Sequence, residues 1–327
     1  MKILVTGATG FLGHHLIKRL IKDNCSVRIL KEETASLDFL KDTVSSLEII
    51  IGDIRNEADV EKAIAGCEVV FHLAGLISYW SKLNPLQTDI NVKGTRNIAN
   101  ACLSRGVKKL IYVSSTVTAG TSAQGLADEQ TPYNLSYLKI NYCDSKFLAE
   151  NEIRQAAAKG LNTAIICPGS MYGEGDIRKI KSDLTFSFKF PFNFLYISGG
   201  LGVVDVEDVV EGLIKAWQID SRGERYILVG ENLSFYEIRK IIAEELGRKP
   251  PFICLPNWFL IPLSYLFLVI SLFNGKKPKL TPEMVRFNKI KFYFSNKKAT
   301  QELGIKFKPF RESIRIAVKW YQENGYL

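Results

Sequence analysis

The chain has 327 residues, a formal net charge of +9, and a composition that is 46% hydrophobic and 24% charged. These values are typical of an ordinary globular protein and exclude a disordered or low-complexity chain. Lys and Arg are spread along the sequence rather than clustered, so the positive charge does not indicate a nucleic-acid partner.

The cysteines and the N-terminus bear on the cellular compartment. The six cysteines are widely spaced, and none belongs to a CxxC pair. The N-terminus begins directly with a strand pattern and lacks the features of a signal peptide. We therefore expect reduced thiols, a cytoplasmic protein and no metal site.

Apolar strands alternate with helical patterns through the first half of the chain. Strands are predicted at 2–6, 26–30, 47–51, 68–72, 109–113 and 162–167. Helices are predicted at 11–23, 56–65, 85–105 and 137–159. This alternation predicts parallel βαβ units in a doubly wound α/β sheet.

The pattern changes after residue 168. Residues 169–200 show little periodicity, a helix at 205–219 and a strand at 225–229 resume the α/β pattern, and 234–327 is mostly helical. We therefore expect one domain made of 1–168 and 203–230. A smaller, mostly helical, discontinuous lobe made of 169–202 and 231–327 would bind substrate in the cleft between the two.

A glycine-rich turn, Gly7-Ala-Thr-Gly10-Phe-Leu-Gly13, joins the first strand to the first helix. Gly7 permits a tight turn, Gly10 lets a pyrophosphate approach the backbone, and Gly13 lets the helix pack closely on the sheet. Free N–H groups at the helix N-terminus favour bound phosphates. The turn predicts a Rossmann domain that binds a nicotinamide dinucleotide. The cofactor-binding residues predicted here are Gly7, Thr9, Gly10, Phe11, Leu12 and Gly13.

The end of the second strand bears on the choice between NAD and NADP. An acidic residue there normally bonds the ribose 2′-OH of NAD, but this chain has Lys31 followed by Glu32 and Glu33. Lysine favours a 2′-phosphate, so we expect NADP in preference to NAD, although a shifted loop would let either glutamate bind a ribose hydroxyl.

Asp53, after the third strand, is predicted to accept a hydrogen bond from the adenine amino group, with Ile54 beside it. The alternative is that Asp53 caps the following helix.

Tyr142 and Lys146 are four residues apart in a helical stretch and therefore lie on one face. A nearby ammonium and a positive nicotinamide ring favour the phenolate, which lowers the pKa of a tyrosine from its ordinary value of about 10. The tyrosine then exchanges a proton with a carbonyl or hydroxyl oxygen while the cofactor exchanges hydride. Ser114 and Ser115 follow the fifth strand, at the sheet edge where a hydroxyl would bind the same substrate oxygen.

Together these motifs resemble the extended short-chain dehydrogenases/reductases, the NAD-dependent epimerase/dehydratase group. The resemblance covers nearly the whole chain. It is carried by the glycine turn, Gly52-Asp53, His72-Leu-Ala74-Gly75, Asn91-Val-Lys-Gly94-Thr95, Val113-Ser-Ser115, Tyr142-Cys-Asp-Ser-Lys146 and Pro168-Gly-Ser-Met-Tyr172-Gly173. The chain most resembles the branch of dihydroflavonol-4-reductases, 3β-hydroxysteroid dehydrogenases and hopanoid-associated sugar epimerase-like proteins. Residues 223–232 and 256–258 resemble the last of these.

The resemblance implies roles for individual residues. The catalytic residues it implies are Ser115, Tyr142 and Lys146. The cofactor contacts it adds are Leu73, Ala74, Gly75, Tyr142, Lys146, Pro168 and Met171. Asn91 is implied as a residue that positions a helix.

Departures from the wider family bear on the reaction. Dehydratases of the group place an Asp-Glu pair directly after the catalytic hydroxyl residue, whereas Thr116 and Val117 stand here. Nucleotide-sugar epimerases carry an arginine that meets the diphosphate, whereas 201–208 has none, and a diphosphate without a bidentate cation is bound poorly.

We therefore expect reversible ketone reduction on a largely apolar small molecule, as in dihydroflavonol-4-reductase. The alternative is a nucleotide-sugar or sugar epimerase with tightly bound NAD. A non-catalytic redox-sensing binder is a third class, and the complete Ser, Tyr and Lys set argues against it. The aromatic-rich stretches 76–80 and 186–196 are candidate pocket walls, but core packing is the preferred interpretation for most of their residues.

Residues 258–273 are nearly all apolar, with Pro262 inside and Lys276, Lys277 and Lys279 after them. The run is shorter than the ~20 residues of a transmembrane helix. Three interpretations compete: a buried helix pair or dimer surface, a lid over an apolar substrate, and an interfacial helix that its lysines hold to anionic lipid. We favour the first, and hence a homodimer. A peripheral membrane contact through 258–279 ranks second.

Overall fold

The structure is a computed structural model that describes residues 1–123, 125–177 and 194–327. The strands of these residues are β1 (Lys2–Thr6), β2 (Ser26–Lys31), β3 (Leu47–Ile51), β4 (Val69–His72), β5 (Lys109–Val113), β6 (Thr163–Pro168), β7 (Ser170–Tyr172), β8 (Leu195–Ile197), β9 (Gly200–Asp205), β10 (Glu224–Leu228), β11 (Glu231–Ser234), β12 (Ile253–Leu255) and β13 (Lys291–Phe292). The α-helices are α1 (Phe11–Lys22), α2 (Glu57–Ile64), α3 (Asn84–Thr88), α4 (Gly94–Ser104), α5 (Asn141–Ala158), α6 (Val206–Gln218), α7 (Phe235–Glu245), α8 (Asn257–Asn274), α9 (Pro282–Phe287), α10 (Lys297–Glu302) and α11 (Phe310–Glu323).

The central sheet has seven parallel strands in the order β10-β6-β5-β4-β1-β2-β3. Its inner strands are largely buried and mostly apolar because both faces are covered. Helices α1 and α6 pack on one face, and α2, α4 and α5 pack on the other. The predicted doubly wound parallel sheet is confirmed.

The strand order reverses between β1 and β4. From β1 the chain winds outward to β2 and β3, then returns to β4 on the other side of β1. Ligands of such sheets bind in the crevice beyond the carboxyl ends of the strands at this reversal. The fold therefore places a binding crevice where the glycine turn and the residues after β4 emerge.

A second sheet lies beyond residue 168. Strand β9 pairs antiparallel with β11 and parallel with β7 and β13, while β12 pairs with β8. Strands β7, β8 and the first residue of β9 lie within 169–200, where the sequence shows little periodicity. These strands have three to six residues each, too few to produce a clear period-2 pattern. Residues 178–193, which include the aromatic positions 186, 188, 190 and 192, lie outside the described residues.

Strand β9 links the two parts of the chain. The expected domain boundary between 202 and 203 falls inside it. At its end Asp205 accepts a hydrogen bond from Glu207 N at 2.9 Å and so caps helix α6 of the central sheet. The strand therefore belongs to the second sheet, while the helix that it enters packs on the first.

Two predicted helices differ in detail from the observed ones. The predicted helix 85–105 is divided into α3 and α4 by a π-helical turn, Asp89–Lys93. The predicted helix 137–159 begins only at Asn141, because Lys139 adopts a left-handed conformation with φ of 52°. Such interruptions depend on tertiary contacts and leave no periodic signal in the sequence.

Helix α8 contains the apolar run. Its buried residues are Leu260, Ser264 and Ser271, and the rest of the helix is half-buried or exposed. The interpretation of this run as a helix buried within the chain is therefore wrong, whereas a dimer surface stays a prediction. The six cysteines are free: Cys67, Cys102, Cys143 and Cys167 are buried, Cys25 is half-buried and Cys254 is exposed.

Candidate active site

The glycine turn packs so tightly at Gly7 and Gly13 that neither position has room for a side chain. Gly7 has φ of 72°, and Gly10 N donates to Gly7 O at 3.0 Å. A Cβ at Gly13 would lie 2.1 Å from Gly7 O, and a Cβ at Gly7 would lie 2.7 Å from Ala74 N. Helix α1 begins directly after Gly10, so its first N–H groups point into the crevice.

The residues after β4 lie against this turn. Leu73 N donates to Thr6 O at 3.1 Å, and Ala74 N donates to Thr6 Oγ1 at 3.3 Å. A Cβ at Gly75 would come within 3.2 Å of Asn91 Oδ1. The turn and this segment thus form a cradle of backbone groups beside a helix N-terminus, which fits the pyrophosphate of a dinucleotide.

The remaining cofactor residues predicted from the sequence lie around this crevice. Thr9 is half-buried, and Phe11 and Leu12 are buried beneath the turn. Pro168 ends β6, and Met171 in β7 packs against the apolar cluster that contains Phe11 and Leu12. The structure therefore brings Pro168 and Met171 to the same edge of the sheet as the glycine turn.

On the adenosine side, the carboxylate of Asp53 is bound by its neighbour Arg55, with Arg55 Nε to Asp53 Oδ2 at 2.8 Å. The Arg55 side chain holds the pKa of Asp53 below its ordinary value. Helix α2 is capped by Asn56, whose side chain accepts from Ala58 N, so the alternative that Asp53 is the cap is wrong. Asp53 and Arg55 instead line a cleft of about 400 Å³. Ile54 is buried under this loop.

The two serines after β5 have different environments. Ser114 Oγ donates to Oε2 of the buried Glu150 at 2.8 Å. Burial alone would raise the pKa of Glu150, but Arg225, Arg154 and Thr118 outweigh it and hold the pKa below its usual range. Ser114 is therefore part of a buried ionic network.

The hydroxyl of Ser115 is not part of this network. Within the described residues, its hydroxyl only accepts a long hydrogen bond, from Val117 N at 3.4 Å. Its O–H therefore remains available to donate to a ligand oxygen. This geometry distinguishes the two serines, which the spacing alone does not.

Tyr142 and Lys146 lie in the first two turns of α5 and are both nearly buried. Lys146 Nζ donates to Val113 O and to Tyr112 OH, each at 2.7 Å, which brings it to the end of β5 just before Ser115. Burial lowers the pKa of Lys146 to about 8. The Tyr142 ring meets the edge of Tyr79 with centroids 5.8 Å apart.

A buried polar network supports Lys146 from behind. Tyr112 contacts Thr95, whose Oγ1 lies 3.0 Å from His72 Nε2, and His72 Nδ1 lies 2.7 Å from Thr6 Oγ1. Sequence reasoning missed Tyr112, which resembles an ordinary core residue of a strand. The available signal is that a buried tyrosine hydroxyl requires a partner.

Asn91 lies in the π-helical turn and joins three segments. Its Oδ1 accepts from Leu76 N at 2.8 Å, and its Nδ2 donates to Leu76 O at 3.1 Å and to Ser145 Oγ at 3.0 Å. Ser145 is the residue before Lys146. Asn91 thus fixes α5 relative to the loop after β4, in agreement with a helix-positioning role.

His72 predicts a pH dependence of stability. Burial, together with nearby Lys146, lowers the pKa of His72 from 6.5 to about 3, and burial does the same for His14. Between pH 6.5 and about 3 the unfolded chain binds protons that the folded chain does not. Stability therefore falls as the pH falls through this window, by at most about 1.4 kcal/mol per pH unit for each histidine.

His72→Gln keeps an amide that can bond Thr6 and Thr95 but cannot titrate. We expect its unfolding free energy to decline between pH 6 and 5 about half as steeply as that of the wild type. Urea unfolding at the two pH values measures this slope. Equal slopes would show that His72 is already protonated in the folded protein.

Aromatic side chains surround Tyr79, the neighbour of Tyr142. Phe287 of α9 lies 5.3 Å from Tyr79 between ring centroids, and Phe287 stacks on Phe292 at 4.3 Å. Ile77 is exposed and Trp80 half-buried in the same loop. The wall beside Tyr142 is therefore aromatic in the part of the chain that the structure describes.

Comparison with known proteins places these features in context. The model of the 3-beta hydroxysteroid dehydrogenase/isomerase family matches residues 4–189. The chain is 30% identical to a putative dihydroflavonol 4-reductase of a Synechocystis species, over 99% of this chain and 95% of that protein. It is also 30% identical to 3beta-hydroxysteroid-dehydrogenase/decarboxylase isoform 1 of Arabidopsis thaliana, over 96% of this chain and 78% of that one. The crystal structure of gox2253 is similar, with a TM-score of 0.84, 30% identity and 99% coverage of both chains.

Proposed function

Because the chain belongs to the 3-beta hydroxysteroid dehydrogenase/isomerase family of extended short-chain dehydrogenases/reductases, we propose that it reduces a ketone on a largely apolar small molecule, or oxidises the corresponding alcohol. The family is NAD(P)-dependent, and this chain is an enzyme of that kind. The observation that carries the proposal is the aromatic wall of Tyr79 and Phe287 beside Tyr142.

The proposed chemistry assigns one role to each catalytic side chain. A nicotinamide cofactor held beside the glycine turn would supply the hydride for reduction and accept it in oxidation. Tyr142 donates its proton to the carbonyl oxygen during reduction and takes it back during oxidation. The free O–H of Ser115 binds the same oxygen, and Lys146, held by Tyr112 and Val113, keeps a cation beneath the reacting groups.

Two further observations favour simple redox chemistry. Thr116 and Val117, which follow Ser115, are buried and carry no carboxylate that could eliminate water. In β9 the side chains of 201–204 are apolar or absent, so this strand supplies no cation for a sugar diphosphate. Both support a reductase over a dehydratase or a nucleotide-sugar epimerase.

A substrate screen tests this function. We expect the purified protein to consume NADPH or NADH with apolar cyclic ketones, followed by the absorbance of the reduced nicotinamide. Activity should rise with the apolar area of the ketone. Tightly bound NAD(H) that co-purifies, without net consumption on any ketone, would instead indicate an epimerase.

We also propose that NADP is preferred over NAD, because Lys31 lies at the carboxyl end of β2. Its ammonium donates to Glu33 O at 3.1 Å, and among the described residues it forms no ion pair with a carboxylate. Its charge is thus available for a 2′-phosphate. Glu32 and Glu33 are exposed.

Lys31→Glu should abolish this preference. A charge-assisted hydrogen bond contributes roughly 1.5 to 3 kcal/mol, so we expect NADPH to bind the wild type at least tenfold more tightly than NADH. The variant should lose that advantage while its affinity for NADH changes little. Lys22→Glu, the same charge change on α1, is the control. Calorimetric titration gives the affinities, and equal or tighter NADH binding by the wild type would refute the preference.

A further inference from the structure

Helix α8 presents an apolar surface to solvent. Trp258, Leu272 and Phe273 are 75%, 77% and 88% exposed. Tyr265 and Val269, also exposed, lie between them at helical spacings of three, four or seven residues and complete one face. A contiguous patch of large, exposed apolar side chains marks an interaction surface rather than ordinary protein surface.

The two ends of α8 are both attached to the rest of the protein, which bears on whether the helix can span a membrane. Among the described residues, α8 is the one helix long and apolar enough to cross a membrane. Its N-terminal end follows directly from β12, which pairs with β8. Beyond its C-terminal end, Thr281 Oγ1 donates to Tyr79 O at 2.7 Å. Both ends thus join the same folded body, whereas a spanning helix must end on opposite sides of the bilayer.

The charges around α8 identify the partner. Residues 248–282 contain the cations Arg248, Lys249, Lys276, Lys277 and Lys279 and no Asp or Glu. Two copies of this face would bring like charges together in either a parallel or an antiparallel arrangement. An apolar helix face with Trp and Tyr, flanked by lysines, instead matches the interface of an anionic bilayer.

We propose that α8, together with Lys276, Lys277 and Lys279, docks the protein on the surface of an anionic lipid bilayer. The helix lies in the plane of the headgroups, with Leu260 and Ser264 turned toward the protein and the exposed face in the acyl boundary. Docking by this face is independent of the reaction that the enzyme catalyses.

The docked face adjoins the site. Thr281, just after α8, donates a hydrogen bond to the carbonyl oxygen of Tyr79. The ring of Tyr79 contacts the ring of Tyr142, and Phe287 of the next helix packs on Tyr79. An apolar substrate dissolved in the bilayer would therefore reach the site from the docked side. This second step rests on the proposed function, whereas lipid docking does not.

Vesicle binding of the full-length protein tests the docking. We expect it to sediment with sucrose-loaded vesicles of phosphatidylserine and phosphatidylcholine at least tenfold more strongly than with pure phosphatidylcholine. Leu272→Ser combined with Phe273→Ser should lower the partition coefficient on anionic vesicles at least tenfold. Reversal of Lys276, Lys277 and Lys279 to Glu should abolish the preference for anionic lipid.

Matched variants separate this effect from net charge and general surface hydrophobicity. Reversal of the exposed Lys18, Lys62 and Lys159 changes net charge equally, and Tyr137→Ser removes an exposed apolar side chain elsewhere. Neither should lower the partition coefficient more than about twofold, and circular dichroism verifies that each variant is folded.

Sedimentation velocity gives the oligomeric state. A wild type that ignores both kinds of vesicle overturns the proposal. If it is also a dimer that the Leu272→Ser/Phe273→Ser variant converts to monomers, the face is a dimer interface instead. Vesicle binding without ketone reduction would sustain docking and refute only the proposed reaction.

Discussion

Tyr142→Phe is expected to lower kcat by about 10² to 10⁴-fold and to leave the Kd for the reduced cofactor within about threefold. The substitution removes one hydroxyl and retains the ring that packs against Tyr79. General acid–base catalysis by a positioned side chain contributes about this factor. The aromatic contact and the backbone cradle for the cofactor are unchanged, so binding should persist.

Tyr133→Phe is the matched control. Tyr133 is half-buried, donates to Asp144 Oδ1 at 2.5 Å and stacks on Phe147, both residues of α5. The Tyr133→Phe substitution thus removes a tyrosine hydroxyl that contacts the same helix, α5, but takes no part in the proposed reaction. We expect kcat within about threefold of the wild type. Stopped-flow single turnovers with a ketone found in the screen measure the chemical step, and undiminished turnover in Tyr142→Phe would remove Tyr142 from the mechanism.

Gly13→Ala is expected to weaken binding of the reduced cofactor at least 100-fold and to destabilise the fold by about 3 kcal/mol. The added Cβ would lie 2.1 Å from Gly7 O and 2.7 Å from Ala8 Cα, and backbone atoms cannot rotate away. Helix α1 must therefore move off the sheet, and overpacking of this kind costs roughly 1 to 3 kcal/mol or more. The same movement displaces the helix N-terminus that faces the pyrophosphate.

Gly106→Ala separates stability from cofactor binding. Gly106 has φ of 65°, and beyond its chain neighbours no described residue lies within 4 Å of an added Cβ, so alanine there introduces backbone strain without a clash. Strain of this kind costs about 1 to 2 kcal/mol, and we expect cofactor affinity to remain unchanged. Thermal unfolding and calorimetric titration of both variants provide the comparison. Wild-type affinity in Gly13→Ala would contradict the packing argument.

The central sheet was predictable because its determinants are local. Continuous apolar strands, helical periodicity and the glycine turn between Thr6 and Phe11 each leave a signal within about ten residues. The order of glycine turn, serine pair and Tyr-x-x-x-Lys then identified the candidate site. Each of these motifs consists of residues that are close together in the sequence, so it can be recognised without knowledge of the tertiary contacts.

The remaining features depend on contacts between distant segments. The sequence does not show that Ser114 is bound by Glu150, because 36 residues separate them. Nor does it reveal that Tyr112 contacts Lys146 across 34 residues. The strands of the second sheet are equally inaccessible, since β13 has two residues and is defined only by its partner β9. Long-range pairing, not composition, specifies these parts.

The link through β9 constrains how the substrate side can move. Close to the point where β9 enters α6, the chain crosses twice more: Gly169 N donates to Leu228 O at 3.0 Å, and Gly230 N donates to Val203 O at 2.8 Å. Three adjacent crossings join the two sheets along one line, so we expect this line to be the axis of any relative motion of the sheets. Because the polypeptide passes repeatedly between the two sheets, the protein should melt as one cooperative unit rather than lobe by lobe.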